Sequence, residues 1–418
     1  MRVSVVVVGA GPGGLSMSRR LTEAGVDHVV LERGEVANSW RHERWDSLRL
    51  LTPNWMTVLP GYRYEGDDPD SFMSAAETVA FLDGYRRRFD PPVLTAVNVE
   101  SVARAGDGFV VHTEGAHWQC DAVVAASGGS SDPRLPAFAV DIPRRIDQLT
   151  ALEYRRAAQL DASGRVLVVG ASASGVQIAD ELARAGREVT IAAGEHVRLP
   201  RRYRGRDIYW WLDRIGQLDE RYDEVDDIGR ARRHASVQLV GTDEGRDLDL
   251  NALGAAGVQI AGRLMGINGT STQHSGGLAN LATNADLKQA RLLRRIDEYV
   301  TERGLDPDVA PPREPHPTVP GDAPIELDLR SFSTVVWATG HRPAYPWLPD
   351  AAFDRRGRVV HDGGVAAIPG LYVLGLPFLR RRRSNLLGGI GLDAADLVDH
   401  LRVHLDARSR DRRSVSFA

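Results

Sequence analysis

Two short glycine-rich segments carry the chemistry this sequence could perform: Gly9-Ala-Gly11-Pro12-Gly13-Gly14 and Gly170-Ala-Ser172-Ala173-Ser174-Gly175. In the first, Gly9 permits a tight turn, Gly11 lets a pyrophosphate approach the backbone, and Gly14 lets a helix pack closely on a strand. The free N–H groups and the dipole at the start of that helix suit phosphate. Glu32 stands 23 residues after Gly9 and could accept hydrogen bonds from ribose hydroxyls. In the second segment Ser172 replaces the middle glycine; it is small, and its hydroxyl could itself meet a phosphate. The same offset of 23 from Gly170 lands on Ala193, where the first segment has its carboxylate. A carboxylate there would repel a ribose 2′-phosphate. Its absence, followed by His196, Arg198, Arg201, Arg202 and Arg204, predicts that the second site prefers NADPH. A solvated basic face is the other reading of those arginines.

Such turns must be held by a strand before and a helix after. Residues 3–8 form a run that is apolar but for Ser4, the pattern of a strand covered on both faces; a helix through about residue 24 and a short strand at 28–31, ending at Glu32, complete a βαβ unit. The plan returns with a strand at 166–169, a helix to about 185 and a strand at 188–191, its first glycine 161 residues after Gly9. Residues 110–113 and 117–120 alternate like a hairpin. Buried strands at 122–126 and 334–338 end at Ser127-Gly128 and Thr339-Gly340. Seven prolines in 307–324 read as a return linker, so the second unit is inserted into the first. The predicted fold is α/β with two doubly wound, Rossmann-like dinucleotide-binding domains: 1–155, then 160–325 with an additional stretch at about 206–299, then 326–418 completing the first domain.

At 418 residues the chain exceeds one core of about 150 residues. Its 43% apolar and 26% charged residues match globular usage and exclude a disordered chain. With 52 basic and 56 acidic residues, the balance of −4 gives no field to steer a polyanion, so nucleic acid is not the expected partner. The one cysteine, Cys120, cannot form an internal disulfide, and no Cys/His spacing suits a metal. The opening residues lack the features of a secretory signal, and no apolar run nears the roughly 18 residues of a membrane span. A cytoplasmic protein without a membrane partner is expected.

With these motifs in view, the chain resembles the single-component, class B flavin-containing NADPH-dependent monooxygenases, which include N- and S-oxygenases and Baeyer–Villiger enzymes. The likeness rests on both glycine segments, Glu32-Arg33 followed by Trp40, Ala338-Thr339-Gly340-His341, and Gly370-Leu-Tyr-Val-Leu-Gly375. It implies a glutathione-reductase-like plan with FAD in the first domain and NADPH in the second. It also implies hydride transfer to FAD, oxygen addition at the flavin C4a atom, and transfer of one oxygen from that (hydro)peroxide to a small organic substrate. The resemblance places cofactor contacts at Gly9, Gly11, Pro12, Gly13, Gly14, Glu32, Arg33, Trp40, Val99 and Ser127. It extends them to Gly170, Ser172, Ala173, Ser174, Gly175, Thr339, Gly340, Gly375 and Gly391, with Arg198, Arg201 and Arg202 as the 2′-phosphate set. Asn54 matches approximately a family Asn near the reacting flavin and NADP; Thr52 is the alternative, and a turn Asn after Pro53 the plain reading.

The departures mark a divergent member. Arg144, Ile146 and Thr150 stand where the family's inter-domain motif has Phe, Gly and His, leaving only its final aromatic, Tyr154; Ala37-Asn-Ser-Trp40 replaces G-G-T-W; and Gly375-Leu376 replaces Gly-Asp. Disulfide reductases share the two-domain plan but need two redox cysteines. Two other functions stay open: electron transfer from NAD(P)H through flavin to another acceptor, and redox-silent nucleotide binding. Arg380 to Arg383 suit FAD phosphates, an acidic substrate or a solvated run. Residues 388–393 read as a glycine turn before a helix at 394–405, and the 206–299 stretch as a lid or a homo-oligomer contact.

Overall fold

The computed structural model describes residues 1–416, with side chains described through residue 410. Val5–Val8 is buried throughout because it runs between two parallel neighbours, His28–Leu31 and Ala122–Ala125. Leu371–Val373 lies beyond Ala122–Ala125 and Val93–Leu94 beyond His28–Leu31, both parallel. Short antiparallel strands at Val365–Ala366 and His361–Asp362 finish a seven-stranded sheet. The Pro12–Glu23 helix has its proline in the first turn, where a missing N–H costs nothing, and buries Leu15, Met17 and Leu21. The expected hairpin is present as Gly108–Thr113 and Ala116–Cys120, joined by a third strand, Val99–Ala105.

The second sheet has five strands, all parallel, in the order Asp147–Thr150, Phe332–Trp337, Arg165–Val169, Val189–Ala193, Gln259–Gly262. This corrects the predicted boundaries. Asp147–Thr150 falls within 1–155 and Phe332–Trp337 within 326–418, yet both pair in the sheet of the inserted unit. Phe332–Trp337 is buried at every position but Ser333, and it has a parallel partner on each side there. The chain crosses further out, where Asp132–Pro133 pairs antiparallel with His341–Arg342. The 206–299 stretch is likewise only partly additional, since Gln259–Gly262 is the fifth strand of this sheet.

The closing helix, Leu387–Ser416, starts earlier than the predicted residue 394, so Gly388, Gly389 and Gly391 lie within its first turns. A Cβ on Gly389 would stand 1.9 Å from the Arg383 carbonyl oxygen, and one on Gly391 2.9 Å from Pro60. Among the described residues, no helix is long and apolar enough to cross a membrane.

Candidate functional site

Register decides where the glycine turns fall. Val8 is level with Leu31 and with Ala125, so Gly9, Glu32 and Ala126-Ser127 emerge together at the carboxyl edge of the first sheet. Val169 is level with Ala192 and Trp337, so Gly170, Ala193 and Ala338-Thr339 emerge together at the edge of the second. This is the edge where open parallel sheets receive ligands.

The two turns share one geometry. Gly9 and Gly170 have φ of +105° and +111°, a region that L side chains rarely adopt. A Cβ on Gly9 would also meet the Ala126 carbonyl oxygen at 2.8 Å, and one on Gly170 the Ala338 oxygen at 2.3 Å. Gly14 and Gly175 pack so closely on their own turns that a Cβ would lie 1.8 and 1.9 Å from the Gly9 and Gly170 oxygens. Gly11 caps its helix at φ −81°, ψ −170°, and Ser172 caps the other at −86°, −174°, a conformation open to any residue. The serine therefore costs the second turn nothing in backbone strain. A Cβ at Gly11 would face open space, leaving room at the helix N-terminus for a phosphate. Pro12 and Gly13 complete this first turn, and Ala173 and Ser174 the second.

Glu32 is buried, with its two carboxylate oxygens accepting from Ala10 N–H (2.7 Å) and Gly34 N–H (3.0 Å). An ionised carboxylate accepts more than two hydrogen bonds, so lone pairs remain for ribose hydroxyls. Ala37 takes a left-handed φ of 62°, which accounts for the glycine the resemblance expects there. Arg33 is exposed and paired with Glu43, Trp40 is half-buried beneath Arg44, and Val99 opens its strand in the first core. The Ser127 hydroxyl is out of solvent with no hydrogen-bond partner among the described residues.

Thr52 and Asn54 are both buried. Asn54 Nδ2 donates to the Asp68 carbonyl at 3.0 Å, while its Oδ1 has no partner among the described residues. The turn Asn54–Met56 abuts the closing helix: a Cβ on Gly388 would be 2.7 Å from the Met56 oxygen. Two residues on, Ile390 Cδ1 reaches to 3.1 Å of a Cβ position on Gly13 and 3.4 Å of one on Gly375. Asn54, the first glycine turn and the closing helix thus converge. Thr339 and Gly340 sit beside the second turn at the chain crossing, bonded to Arg134.

The arginine set needs correction. Arg198 is buried with Asp249, Asp286 and the His316 carbonyl; Arg201 is fully buried with Asp207 and the Leu51 carbonyl; Arg204 is buried with Asp297 and Asp306. Buried guanidinium groups must be paired, and these are paired internally. Arg198 and Arg201 are thereby withdrawn from the 2′-phosphate role. His196 is buried with its Nδ1 on the Gly194 carbonyl. Arg202 is exposed, without an ion pair among the described residues. No sequence motif marks Arg263, which follows Gln259–Gly262: its side chain runs 3.7–3.8 Å from a Cβ position on Gly194, just past Ala193, and it has no ion pair among the described residues. Only the strand order, with 259–262 beside 189–193, could have pointed to it.

Arg380 to Arg383 are neither solvated nor free for phosphate. Arg380 pairs with Asp396, Arg381 with Asp393 and Asp396, Arg382 with Glu220, and Arg383 with Asp213 and Asp219. Tyr154 is buried and donates to Glu181 at 2.8 Å, tying the linker to the second helix. Trp45 packs in the second core and Trp211 in the core beneath the 206–220 segment, as ordinary packing predicts.

Cys120 is buried, and burial pushes its thiol up to about 12. We expect no reaction with Ellman's reagent at pH 8 in the folded protein and one equivalent after denaturation; rapid reaction of native protein would contradict this placement.

Residues 6–231, more than half of the chain, match the family described as pyridine nucleotide-disulphide oxidoreductase. The chain belongs to this family. This pyridine nucleotide-disulphide oxidoreductase is 29% identical over 406 residues to an uncharacterized CzcO-like oxidoreductase of Geobacillus kaustophilus, across 96% of this chain and 99% of that one. It is 31% identical over 219 residues to the indole-3-pyruvate monooxygenase YUCCA6 of Arabidopsis thaliana, across 49% and 51%. Among solved structures it is similar to a flavin-containing monooxygenase from Stenotrophomonas maltophilia, with TM-score 0.69 and 21% identity across 97% and 99%. The doubly wound α/β fold and the likeness to flavin-containing monooxygenases read from the sequence agree with these matches. The sequence carries a single cysteine, the buried Cys120.

Proposed function

We propose that the protein is an FAD- and NADPH-dependent monooxygenase that adds one oxygen atom from O2 to a small organic molecule. One observation carries the reading: two turns of the same backbone geometry, with Glu32 beside the first and Ala193 beside the second. A carboxylate at the strand end suits a free ribose, and an uncharged one admits a 2′-phosphate. The first turn with Glu32, Trp40 and Ser127 would hold FAD, and the second with Ser172 and Ser174 would hold NADPH, in domains whose order along the chain is first, second, first. Bound flavin supplies the two-electron chemistry with oxygen; the chain binds, orients and excludes water. The balance is substrate + NADPH + H⁺ + O2 giving oxygenated substrate + NADP⁺ + H2O. Asn54 would present its Oδ1, and the remaining N–H of its amide, without titrating; Thr52 lies two residues before it.

The test is purification of yellow protein that bleaches with NADPH in the absence of air and recovers its colour with oxygen. A panel of amines, sulfides and ketones is then scored for a mass gain of one oxygen. Protein unable to take up flavin would overturn the reading. Reoxidation that never yields an oxygenated product, alongside fast reduction of quinones, would reassign it to electron transfer.

Arg263 is expected to read the 2′-phosphate. Arg263→Ala should raise KM for NADPH about tenfold, the worth of one charge-assisted hydrogen bond, and leave KM for NADH unchanged. Equal effects on both nucleotides would remove Arg263 from that role.

A further inference from the structure

One short segment touches both halves of the site. Val237–Gln238 pairs parallel with Val197–Arg198, and from there the chain runs to Asp243 along the first domain. At its near end Gln238 is fully buried and its Nε2 donates to the Ala171 carbonyl, inside the second glycine turn, at 2.7 Å. Gln177, on the helix that follows that turn, donates back to the Leu239 carbonyl at 2.8 Å. At its far end a Cβ on Gly241 would lie 2.2 Å from the Leu50 carbonyl oxygen and 2.8 Å from Phe72 Cβ. Asp243 accepts from the Ser71 hydroxyl at 2.6 Å.

The residues met at the far end are those that hold Asn54. Leu50 N–H donates to the Met73 carbonyl, and Asn54 N–H to the Ser71 carbonyl. Arg201 reinforces the contact, donating to the Leu51 carbonyl at 2.8 Å with its guanidinium 4.7 Å from the Phe72 ring centroid. Ala171 is therefore linked to Asn54 through a few residues, with no side chain at the tightest point.

We propose that Gly241 is a positioning residue: the 237–243 strap, drawn tight at Gly241, fixes the distance between the second glycine turn and the Thr52–Asn54 segment. The proposal rests on the functional reading above. The Leu50 oxygen is backbone and cannot rotate away, so a methyl at 241 forces the two segments apart by about 1 Å. A displacement of that size is enough to slow a positioned transfer about a hundredfold.

The test compares Gly241→Ala with Gly254→Ala, a helical glycine whose added Cβ meets nothing within 4 Å. Gly241→Ala should keep its flavin and bind NADP⁺ within about threefold of wild type, yet be reduced by NADPH about a hundredfold more slowly. Gly254→Ala should match wild type in all three. In flavin-free protein, the Leu50 and Asn54 amides should exchange with deuterium faster in Gly241→Ala while the amides of residues 170–175 do not change. Wild-type reduction by Gly241→Ala overturns the proposal, and so does a loss of NADP⁺ affinity that accounts for the whole slowing. If Gly241→Ala does not fold, Asp243→Ala releases the far end of the strap instead: faster exchange at Asn54 and slower reduction support the proposal, and no change in either overturns it. Wild-type protein that NADPH cannot reduce overturns the functional reading itself; the exchange comparison still decides the strap.

Discussion

The Gly175→Ala protein is expected to purify with its flavin and to resist bleaching by NADPH. A Cβ at 175 would fall 1.9 Å from the Gly170 oxygen, a contact with backbone that no rotamer relieves. The helix must then withdraw from its strand, carrying away the N–H groups that would meet the pyrophosphate. Overpacking of this kind costs about 1–3 kcal/mol locally, which a chain of two cores can absorb. Loss of the phosphate cradle removes several charge-assisted hydrogen bonds at about 1.5–3 kcal/mol each. The expected result is at least a hundredfold slower anaerobic reduction with an unchanged flavin-to-protein ratio. A variant reduced at the wild-type rate would mean that the pyridine nucleotide binds elsewhere.

Glu32→Ala is expected to act on the other half alone. The carboxylate accepts from Ala10 and Gly34, so its removal leaves two donors short of partners and takes away the group proposed to bind the ribose. Unsatisfied buried donors cost about 1–3 kcal/mol each, and a lost hydrogen bond to a charged group about 1.5–3 kcal/mol. Flavin affinity should fall about a hundredfold, read by dialysis and fluorescence of released flavin. NADP⁺ affinity should remain. Retention of full flavin content through dialysis would remove Glu32 from the flavin site.

What was legible in the sequence is what is decided locally. Gly14 and Gly175 are required by contacts five residues back along the chain, with Gly9 and Gly170, and that constraint is visible as a spacing. The matching Ala-Ser-Gly and Ala-Thr-Gly strand ends are equally local, and Gly128 and Gly340 share φ values of 87° and 89°. The burial of these arginines is set mainly by distant partners, Asp249 and Asp286 for Arg198 and the Leu51 carbonyl for Arg201, with Asp207 alone close in sequence. Asp147–Thr150 was missed as a strand because it lies at the sheet edge, where only Thr150 is buried and the apolar pattern is faint. Arg263 lies beside Gly194 through strand order alone, 69 residues away along the chain.

Because the inserted unit enters and leaves through one antiparallel pair, Asp132–Pro133 against His341–Arg342, its two severed ends would lie side by side. Such an arrangement favours exchange: two cuts at that ladder could transplant a whole lobe from one relative into another with no new linker. A graft of this kind would keep the recipient's oxidation chemistry while importing the donor's coenzyme preference, provided the incoming lobe brought its own segment equivalent to 237–243.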